Sequence, residues 1–344
     1  MIGRAVLLAA SIVVGLLMLE LGLRLVEVGP RALVEWPNYV RKQRVASRAN
    51  SGAQARPDPV LGFVGLPGYA SADLNYDSRG FRLTPALAGV TLKEPPIVAV
   101  GGSFTQGMEV ADNETLPSYL QALTGRRVIN AGMSAYGVDQ MVLRAEIVVA
   151  EEKPAAIVLG FGYDNLRRSE MSRVWGIEKP YFERVDDALV LRNVPVPPSP
   201  DPATTLDFWQ LLFGRSMLVD FVLKRLKLQY EWSLDHVRVA PPGEGARLAC
   251  LLFKRLAGLE VPVVVVAEYD PYLWTDPPYM REQKQLIGSV LQCAAALDFA
   301  TVDPFDEIDQ AMRTVGRGLY YRRGEHFGPA GHQMVARLVA EHLR

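Results

Sequence analysis

The stretch VAVGGSFTQGMEV, from Val98 to Val110, decides the fold of this chain. A short apolar run ends at two glycines, and Ser103 follows at the start of a helix-like segment. A strand that passes through a glycine turn into a helix is typical of alternating α/β proteins. A serine at this position is often only a helix N-cap, so its role depends on the rest of the chain.

The same alternation continues downstream. Apolar, β-rich runs occur at 96–100, 127–130, 155–161, 261–268 and 299–303. Helical patterns separate these runs, and a last one covers residues 329–343. Continuous apolar strands between helices are typical of a parallel sheet that is covered on both faces. The sequence therefore predicts a doubly wound α/β fold with a parallel five-stranded sheet.

Composition excludes some functions and leaves others open. A hydrophobic fraction of 49% over 344 residues is enough for a globular core, in one large domain or two small ones. The net charge of −1 gives no support for nucleic-acid binding. Cys250 and Cys293 lack metal-site spacing and define no disulfide framework. Neither a metal nor an organic cofactor is indicated.

Residues 1–30 are interpreted as an N-terminal membrane anchor. Ala5 to Leu19 carries no charge, and Glu20 and Arg24 are spaced to pair on one helix face. Continued to Pro30, the segment gives about 22 to 25 helical residues, enough for one span. A cleaved signal peptide is less favoured because no small-x-small site follows the apolar run. A buried helix of the fold is the third alternative.

The segments after the anchor differ in composition. Residues 31–95 are rich in Pro, Gly and Arg and are interpreted as a juxtamembrane segment packed on the domain. The domain is assigned to 96–344, with an insertion at about 176–245 that holds a proline-rich loop and aromatic residues. Basic residues are denser after the anchor than before it. By the positive-inside rule, this favours a cytoplasmic domain.

Polar side chains follow the strands at the carboxyl ends, where open parallel sheets bind ligands. Ser103 follows the first strand, and the segments at 130–137 and 160–165 follow the second and third. His326 follows the fifth strand and its helix. A hydroxyl, a base and amide donors are what nucleophilic acyl transfer requires.

The segments GGSFTQG, NAGMSAYG, GFGYDN and HFGPAGH resemble, in this order, the motifs of the SGNH (GDSL-like) hydrolases. The SRGFR stretch at 78–82 and the N-terminal apolar helix resemble a membrane-anchored bacterial branch of that family. The resemblance covers about residues 75–344 and implies an SGNH/flavodoxin-like sheet. It also implies an extracytoplasmic domain, in conflict with the distribution of basic residues.

The resemblance assigns the roles of individual residues. Ser103 would be the nucleophile and His326 the general base. The candidates for the oxyanion hole are Ser103, Ala135, Asn165 and Asp164. The alternatives are that Ser103 is only a helix cap and that His326 is a surface histidine before the last helix.

Several positions depart from the family pattern. Gly102 stands where the family has aspartate, and Ala135 where it has glycine. The third motif reads Asp164-Asn165 in place of Asn-Asp, and an ionised Asp164 would repel an oxyanion. The site therefore needs Asn165 to turn inward or Asp164 to be protonated; otherwise it is weak.

The acid that orients the histidine is also missing from its usual place. The family has an aspartate two or three residues before the base, where this chain has Gly324 and Arg323. The candidate substitutes are Glu325, Asp270 and Asp303.

The motifs predict a serine esterase or acyltransferase that works through a covalent acyl-serine intermediate. The resemblance implies an acylated carbohydrate or a lipid-like ester as substrate, and the sequence does not choose between them. The departures support a different class of function. In that alternative, the domain is catalytically impaired and serves as a binding or assembly component for an envelope polysaccharide.

Overall fold

The computed structural model describes residues 2–186, 188–199, 201, 205–226, 228–322 and 325–343. The chain divides into two compact units. We call Met1–Ala53, Arg173–Ile177 and Pro198–Val237 the helical unit, and Gln54–Ser172, Glu178–Pro197 and Arg238–Arg344 the sheet unit. The predicted juxtamembrane segment and the predicted insertion are each divided between these units.

The sheet unit is built on five strands, numbered β1 to β5 along the chain. They are Lys93–Gly101, Arg126–Asn130, Ala156–Phe161, Val263–Ala267 and Ala300–Val302. Their order across the sheet is β5-β4-β3-β1-β2. Each neighbouring pair is parallel. The predicted α/β fold is confirmed, with the strands at the predicted places.

The central strands show why the apolar runs fold this way. Both β3 and β4 are buried along their whole length. The run Val263–Val266 consists of β-branched residues, which restrict χ1 and favour extended backbone. A strand without a polar face needs cover on both sides, and helices supply it.

Two groups of helices cover the sheet. Leu116–Thr124 and Pro329–Glu341 pack on each other, whereas Val138–Glu152, Gly245–Ala257 and Pro277–Ala295 form a row. Right-handed crossovers place these groups on opposite faces. The shorter helices of this unit are Ser103–Gln106, Asp112–Glu114, Tyr163–Arg168, Pro271–Thr275, Phe305–Thr314 and Arg317–Tyr320.

A disulfide joins two helices of the row. Cys250 and Cys293 are bonded, with their Cα atoms 5.5 Å apart. The spacing of the cysteines does not reveal this bond, because the bond depends on which helices are neighbours in space. Disulfides persist in oxidising compartments and are rare in the cytosol of most organisms.

The sheet unit also contains two antiparallel hairpins. One pairs Ala55–Asp58 with Gly62–Gly65, and the other pairs Tyr181–Val185 with Ala188–Arg192. Short strands at Met171–Val174, Ile177–Glu178 and Val237–Arg238 lie where the chain passes from one unit to the other.

The helical unit begins with a long apolar helix, Ile2–Glu27. Its segment Gly3–Glu27 has a mean hydropathy of 2.5, and only 6% of its most apolar window is buried. Length and composition allow this helix to cross a membrane, as an anchor or as a signal sequence. The other helices of the unit are Pro30–Leu33, Tyr39–Gly52, Phe208–Phe213, Met217–Arg225 and Gln229–Trp232.

Candidate active site

The strand order reverses beside β1, which has β2 on one side and β3 on the other. Open α/β sheets bind ligands at the carboxyl ends of the strands at such a switch point. Ser103 lies just past β1, and Asn165 lies just past β3. The topology therefore brings the first and third motifs to the same edge of the sheet.

Ser103, His326 and Glu109 form a continuous hydrogen-bonded chain. The Oγ of Ser103 lies 2.8 Å from Nε2 of His326, across a sequence separation of 223 residues. On the far side of the ring, Nδ1 of His326 lies 3.2 Å from Oε1 of Glu109. An ionised carboxylate only accepts hydrogen bonds, so Nδ1 carries the hydrogen. This tautomer leaves Nε2 as the acceptor for the serine hydroxyl.

Glu109 was not among the residues singled out from the sequence. It belongs to the same loop as Ser103, and its φ of 70° is left-handed, which is uncommon for a residue with a side chain. Its Oε2 is buried and has no hydrogen-bond partner among the described residues. Strained and incompletely satisfied residues of this kind concentrate at functional sites. The only sequence signal was an acid in the glycine-rich stretch of the nucleophile motif.

The three acids proposed from the sequence lie elsewhere. None of Glu325, Asp270 and Asp303 has a hydrogen bond to the His326 ring among the described contacts. In that order, they accept hydrogen bonds from the hydroxyls of Tyr272, Tyr279 and Tyr269 at 3.4, 3.2 and 2.9 Å. Residues 323 and 324, where the family's aspartate is missing, lie outside the described residues.

Backbone pairing and aromatic packing hold the His326 loop. The carbonyl of His326 accepts a hydrogen bond from the N–H of Arg322 at 3.0 Å, and Tyr321 forms a bridge with Phe327. The imidazole packs on Phe104, with ring centroids 5.1 Å apart. Because Phe104 directly follows Ser103, this contact positions the imidazole beside the Ser103 hydroxyl.

Asn165 is turned inward. Its Nδ2 donates to the carbonyl of Tyr136 at 2.8 Å, and its Oδ1 accepts from the N–H of Gly162 at 2.8 Å. A Cβ atom on Gly102 would lie only 2.6 Å from Nδ2. The glycine that replaces the family's aspartate therefore makes room for the amide directly before Ser103.

Asp164 is turned outward. Its side chain is 53% exposed and pairs with Arg167 and Arg168 of the same helix, at 3.2 and 3.1 Å. Consecutive side chains of a helix point in different directions, so one residue of the Asp-Asn pair faces the site and the other faces solvent. With the reversed order of the motif, the neutral amide lies beside Gly102, directly before Ser103, and the carboxylate points away.

Two backbone amides complete the set of donors. Ala135 has a φ of 71°, a conformation that glycine adopts more easily. The N–H groups of Ser103 and Ala135 donate to no partner among the described residues. Gln106 ties the two loops together, because its Oε1 accepts from the N–H of Ser134 at 2.9 Å. Free amides held in this way suit a developing oxyanion.

Arg82, from the SRGFR stretch, holds the loop between Ser103 and Glu109. It is 2% exposed, and its Nε donates to Asp112 at 3.0 Å. Its terminal nitrogens donate to the carbonyls of Gln106, Gly107, Asp73 and Val110. These bonds use all five guanidinium donors. Three of the carbonyls flank Glu109, so the guanidinium fixes the backbone that carries the acid.

A buried carboxyl, that of Glu268, contacts the helix that begins at Ser103. The Oγ1 of Thr105 donates to Oε1 of Glu268 at 2.6 Å. Burial raises the pKa of Glu268 to about 8, so this side chain is protonated at neutral pH. A Cβ atom on Gly160 would clash with the same carboxyl, which places the carboxyl against the end of β3.

His332 has a structural role. It is fully buried, and its Nδ1 accepts from the N–H of Leu116 at 3.2 Å. Burial lowers the pKa of His332 to about 3, so the ring is neutral over the physiological range. A ring without access to solvent does not exchange protons with a substrate.

The strand order is that of a doubly wound α/β fold and is consistent with an SGNH/flavodoxin-like sheet. No protein-family model matches the sequence, and no curated protein is significantly similar to it.

Several solved structures are similar to part of this chain at low sequence identity. TesA is 15% identical with a TM-score of 0.42, over 73% of this chain and 98% of that chain. LAE5, an alpha/beta hydrolase enzyme from the metagenome of Lake Arreo, Spain, is 14% identical with a TM-score of 0.45, over 73% and 96%. A single-residue variant of Axe2, an acetyl xylan esterase from Geobacillus stearothermophilus, is 16% identical with a TM-score of 0.44, over 73% and 95%. Similarity at this level does not specify a reaction.

Replacing Arg82 by lysine tests the role of the guanidinium. Lysine has three donors in place of five, so at least two buried acceptors lose a partner, at about 1 to 3 kcal/mol each. We expect R82K to lower the free energy of unfolding accordingly in denaturant titrations. The matched control is R79K, because Arg79 is 42% exposed and its ion pairs contribute at most about 1 kcal/mol. Equal losses in the two variants would contradict the assigned role.

Replacing Glu268 by glutamine tests the protonated carboxyl. A carboxyl whose pKa is about 8 in the folded state and near 4.5 when unfolded stabilises the protein most at low pH. That stability is lost as the pH rises from 4.5 to 8. We expect the melting temperature of wild type to fall relative to E268Q across this window and to level off above pH 8. A difference that does not change with pH would show that Glu268 is ionised in the folded protein.

Proposed function

We propose that the sheet unit is a serine esterase that cleaves an ester-linked acyl group through an acyl-Ser103 intermediate. The observation that carries this proposal is the chain from Ser103 through His326 to Glu109 at the switch point of the sheet. A hydroxyl hydrogen-bonded to an imidazole that a carboxylate orients is the arrangement of an activated nucleophile.

The acylation step follows from this geometry. The Oγ of Ser103 attacks the carbonyl carbon of the ester, and Nε2 of His326 takes the hydroxyl proton. The tetrahedral intermediate then collapses, the bond to the alcohol oxygen breaks, and His326 returns the proton to that oxygen. Glu109 stabilises the imidazolium that exists between the two transfers and remains ionised throughout.

Deacylation repeats these steps with water as the nucleophile. Water gives its proton to His326 and attacks the acyl carbon, which releases the acid and regenerates the Ser103 hydroxyl. When the hydroxyl of a sugar or another alcohol attacks in place of water, the acyl group is transferred to that alcohol. We assign an acylated carbohydrate or a lipid-like ester as the substrate class.

The oxyanion forms next to three donors. The amides of Ser103 and Ala135 have no other partner among the described residues, and Nδ2 of Asn165 has a second hydrogen beyond its bond to Tyr136. Loss of a single donor of this kind costs about 2.7 to 4 kcal/mol of transition-state stabilisation. Because Asp164 points outward, its negative charge does not repel the oxyanion that these donors stabilise.

The structure weakens the case for a catalytically impaired domain. That alternative rests on four departures from the family pattern, and two of them bear directly on catalysis: the missing orienting acid and the carboxylate in the third motif. Glu109 occupies the position beside His326, and Asn165 occupies the position beside Gly102. Both departures therefore have a local substitute, which supports the enzyme.

We also propose that the helix Gly3–Glu27 is a retained membrane anchor. Its last turns are part of the helical unit, because Glu20 accepts hydrogen bonds from the N–H groups of Met217 and Leu218 at 2.9 and 2.8 Å. Arg24 is fully buried and pairs with Glu20 at 2.6 Å. Cleavage of a signal peptide would remove these buried partners. The disulfide supports an extracytoplasmic domain.

A serine-directed probe tests the nucleophile. We expect a fluorophosphonate to label the folded full-length protein, and S103A to abolish both the labelling and the hydrolysis of p-nitrophenyl acetate. The matched control is S289A, because Ser289 is an exposed serine whose Oγ bonds only within its own helix. Labelling that persists in S103A contradicts the proposal. A folded wild type that does not react favours the binding alternative.

Replacing two glutamates separately tests which acid orients His326. In E109Q the side-chain amide can donate a hydrogen bond to Nδ1 and so stabilise the wrong tautomer of His326. The corresponding change in a serine protease triad lowers kcat by up to about 10⁴-fold. We expect E109Q to lower kcat by about 10² to 10⁴-fold. E325Q should lower it by less than about tenfold, since Glu325 contacts Tyr272 and not the ring. The reverse order of effects would rule out Glu109.

A further inference from the structure

One helix of the helical unit buries its polar side chain and exposes its apolar ones. In Phe208–Phe213 the polar side chain, Gln210, is buried, and its Nε2 donates to the carbonyl of Trp232 at 2.8 Å. The apolar side chains point outward and are 43–67% exposed: Phe208, Trp209, Leu211, Leu212 and Phe213. A helix at a water-exposed surface has the opposite distribution.

The next helix, Met217–Arg225, continues this pattern. Asp220 is buried and accepts a hydrogen bond from Nε2 of Gln43 at 2.8 Å. The exposed apolar side chains of this helix and the residues after it are Phe221, Val222, Leu226 and Leu228. We call the two helices together the apolar hairpin. Contiguous exposed apolar surface of this kind marks a contact with a partner or a lipid phase.

The turn of the apolar hairpin is bound to the end of the long apolar helix. The carboxylate of Glu20 accepts from the hydroxyl of Ser216 at 2.7 Å, in addition to the two amides that begin Met217–Arg225. Arg24 donates to the carbonyl of Arg215. The hairpin is therefore fixed at the level of residues 20–24 of that helix.

This level corresponds to a membrane surface. From Gly3 to Glu20 the helix rises by about 26 Å at 1.5 Å per residue, close to the thickness of about 30 Å of a hydrocarbon core. Trp36 lies at the same level, since its ring stacks on the guanidinium of Arg24 at 3.5 Å. Tryptophan is enriched at the lipid–water interface, where its ring is partly in each phase.

We propose that the apolar hairpin lies in the lipid–water interface of the bilayer that the N-terminal helix crosses. Its exposed side chains contact the acyl chains, while Gln210 and Asp220 face the protein. Helices with one apolar side and one polar side lie in the plane of the interface in this way. This inference rests on the proposed membrane anchor and is independent of the chemistry at Ser103.

An environment-sensitive probe on the full-length protein tests this position. The native cysteines are paired, so a nitrobenzoxadiazole label attaches to L212C or, as the matched control, to S289C. Both proteins are reconstituted in phosphatidylcholine vesicles with and without brominated acyl chains. We expect the label at 212 to emit at shorter wavelength and to lose about half of its emission in brominated vesicles. The label at 289 should be quenched by aqueous iodide and not by bromine.

Flotation of the vesicles and fluorophosphonate labelling accompany each measurement. If the protein floats but the label at 212 is exposed to water, the proposed anchor stands and the proposed interfacial position of the apolar hairpin is wrong. A label shielded from both bromine and iodide in a dimeric protein shows that a second copy covers this face, which also overturns it. If the protein does not float, both the proposed anchor and the proposed position of the apolar hairpin are wrong. Normal fluorophosphonate labelling in that case leaves the esterase proposal standing.

Discussion

The candidate site depends on the buried guanidinium of Arg82. A buried charge is tolerated only when its hydrogen-bonding groups are satisfied, and here five donors are matched by four carbonyls and a carboxylate. These acceptors lie on both sides of Glu109, so the loop cannot relax without leaving the charge unpaired. This constraint accounts for the left-handed backbone at Glu109, which would otherwise revert to a commoner conformation.

Glu109 lies on the same loop as Ser103, which reduces the number of chain segments that folding has to bring together. Ser103 and Glu109 are held by one short segment, and only His326 has to be brought in from a distant part of the chain. Phe104 is half-buried and packs against both His326 and the buried ring of Phe327, which ties that approach to the edge of the hydrophobic core. The carboxyl of Glu268, whose pKa is raised by burial, accepts a hydrogen bond from Thr105 in the same helical turn as Ser103 without adding a negative charge there at neutral pH.

The sequence predicts features that depend on local pattern and misses those that depend on tertiary contacts. Each of the strands β1 to β5 contains a short apolar run, and Ser103 and His326 lie in recognisable motifs. Glu109 was missed because its role follows from a backbone angle and from Arg82. The choice between Asp164 and Asn165 depends on the phase of a helix that spacing alone does not fix. The bond between Cys250 and Cys293 requires knowing which helices are neighbours.

The contacts of Glu20 and Arg24 have a practical consequence for obtaining a water-soluble form. Deleting only the N-terminal helix removes the cap of Met217–Arg225 and the cation that stacks on Trp36, yet leaves the apolar side chains of 208–213 in place. Such a shortened protein would tend to aggregate or to retain detergent. A soluble form would instead require polar replacements on the outer side of those two short helices, chosen without disturbing Gln210 or Asp220.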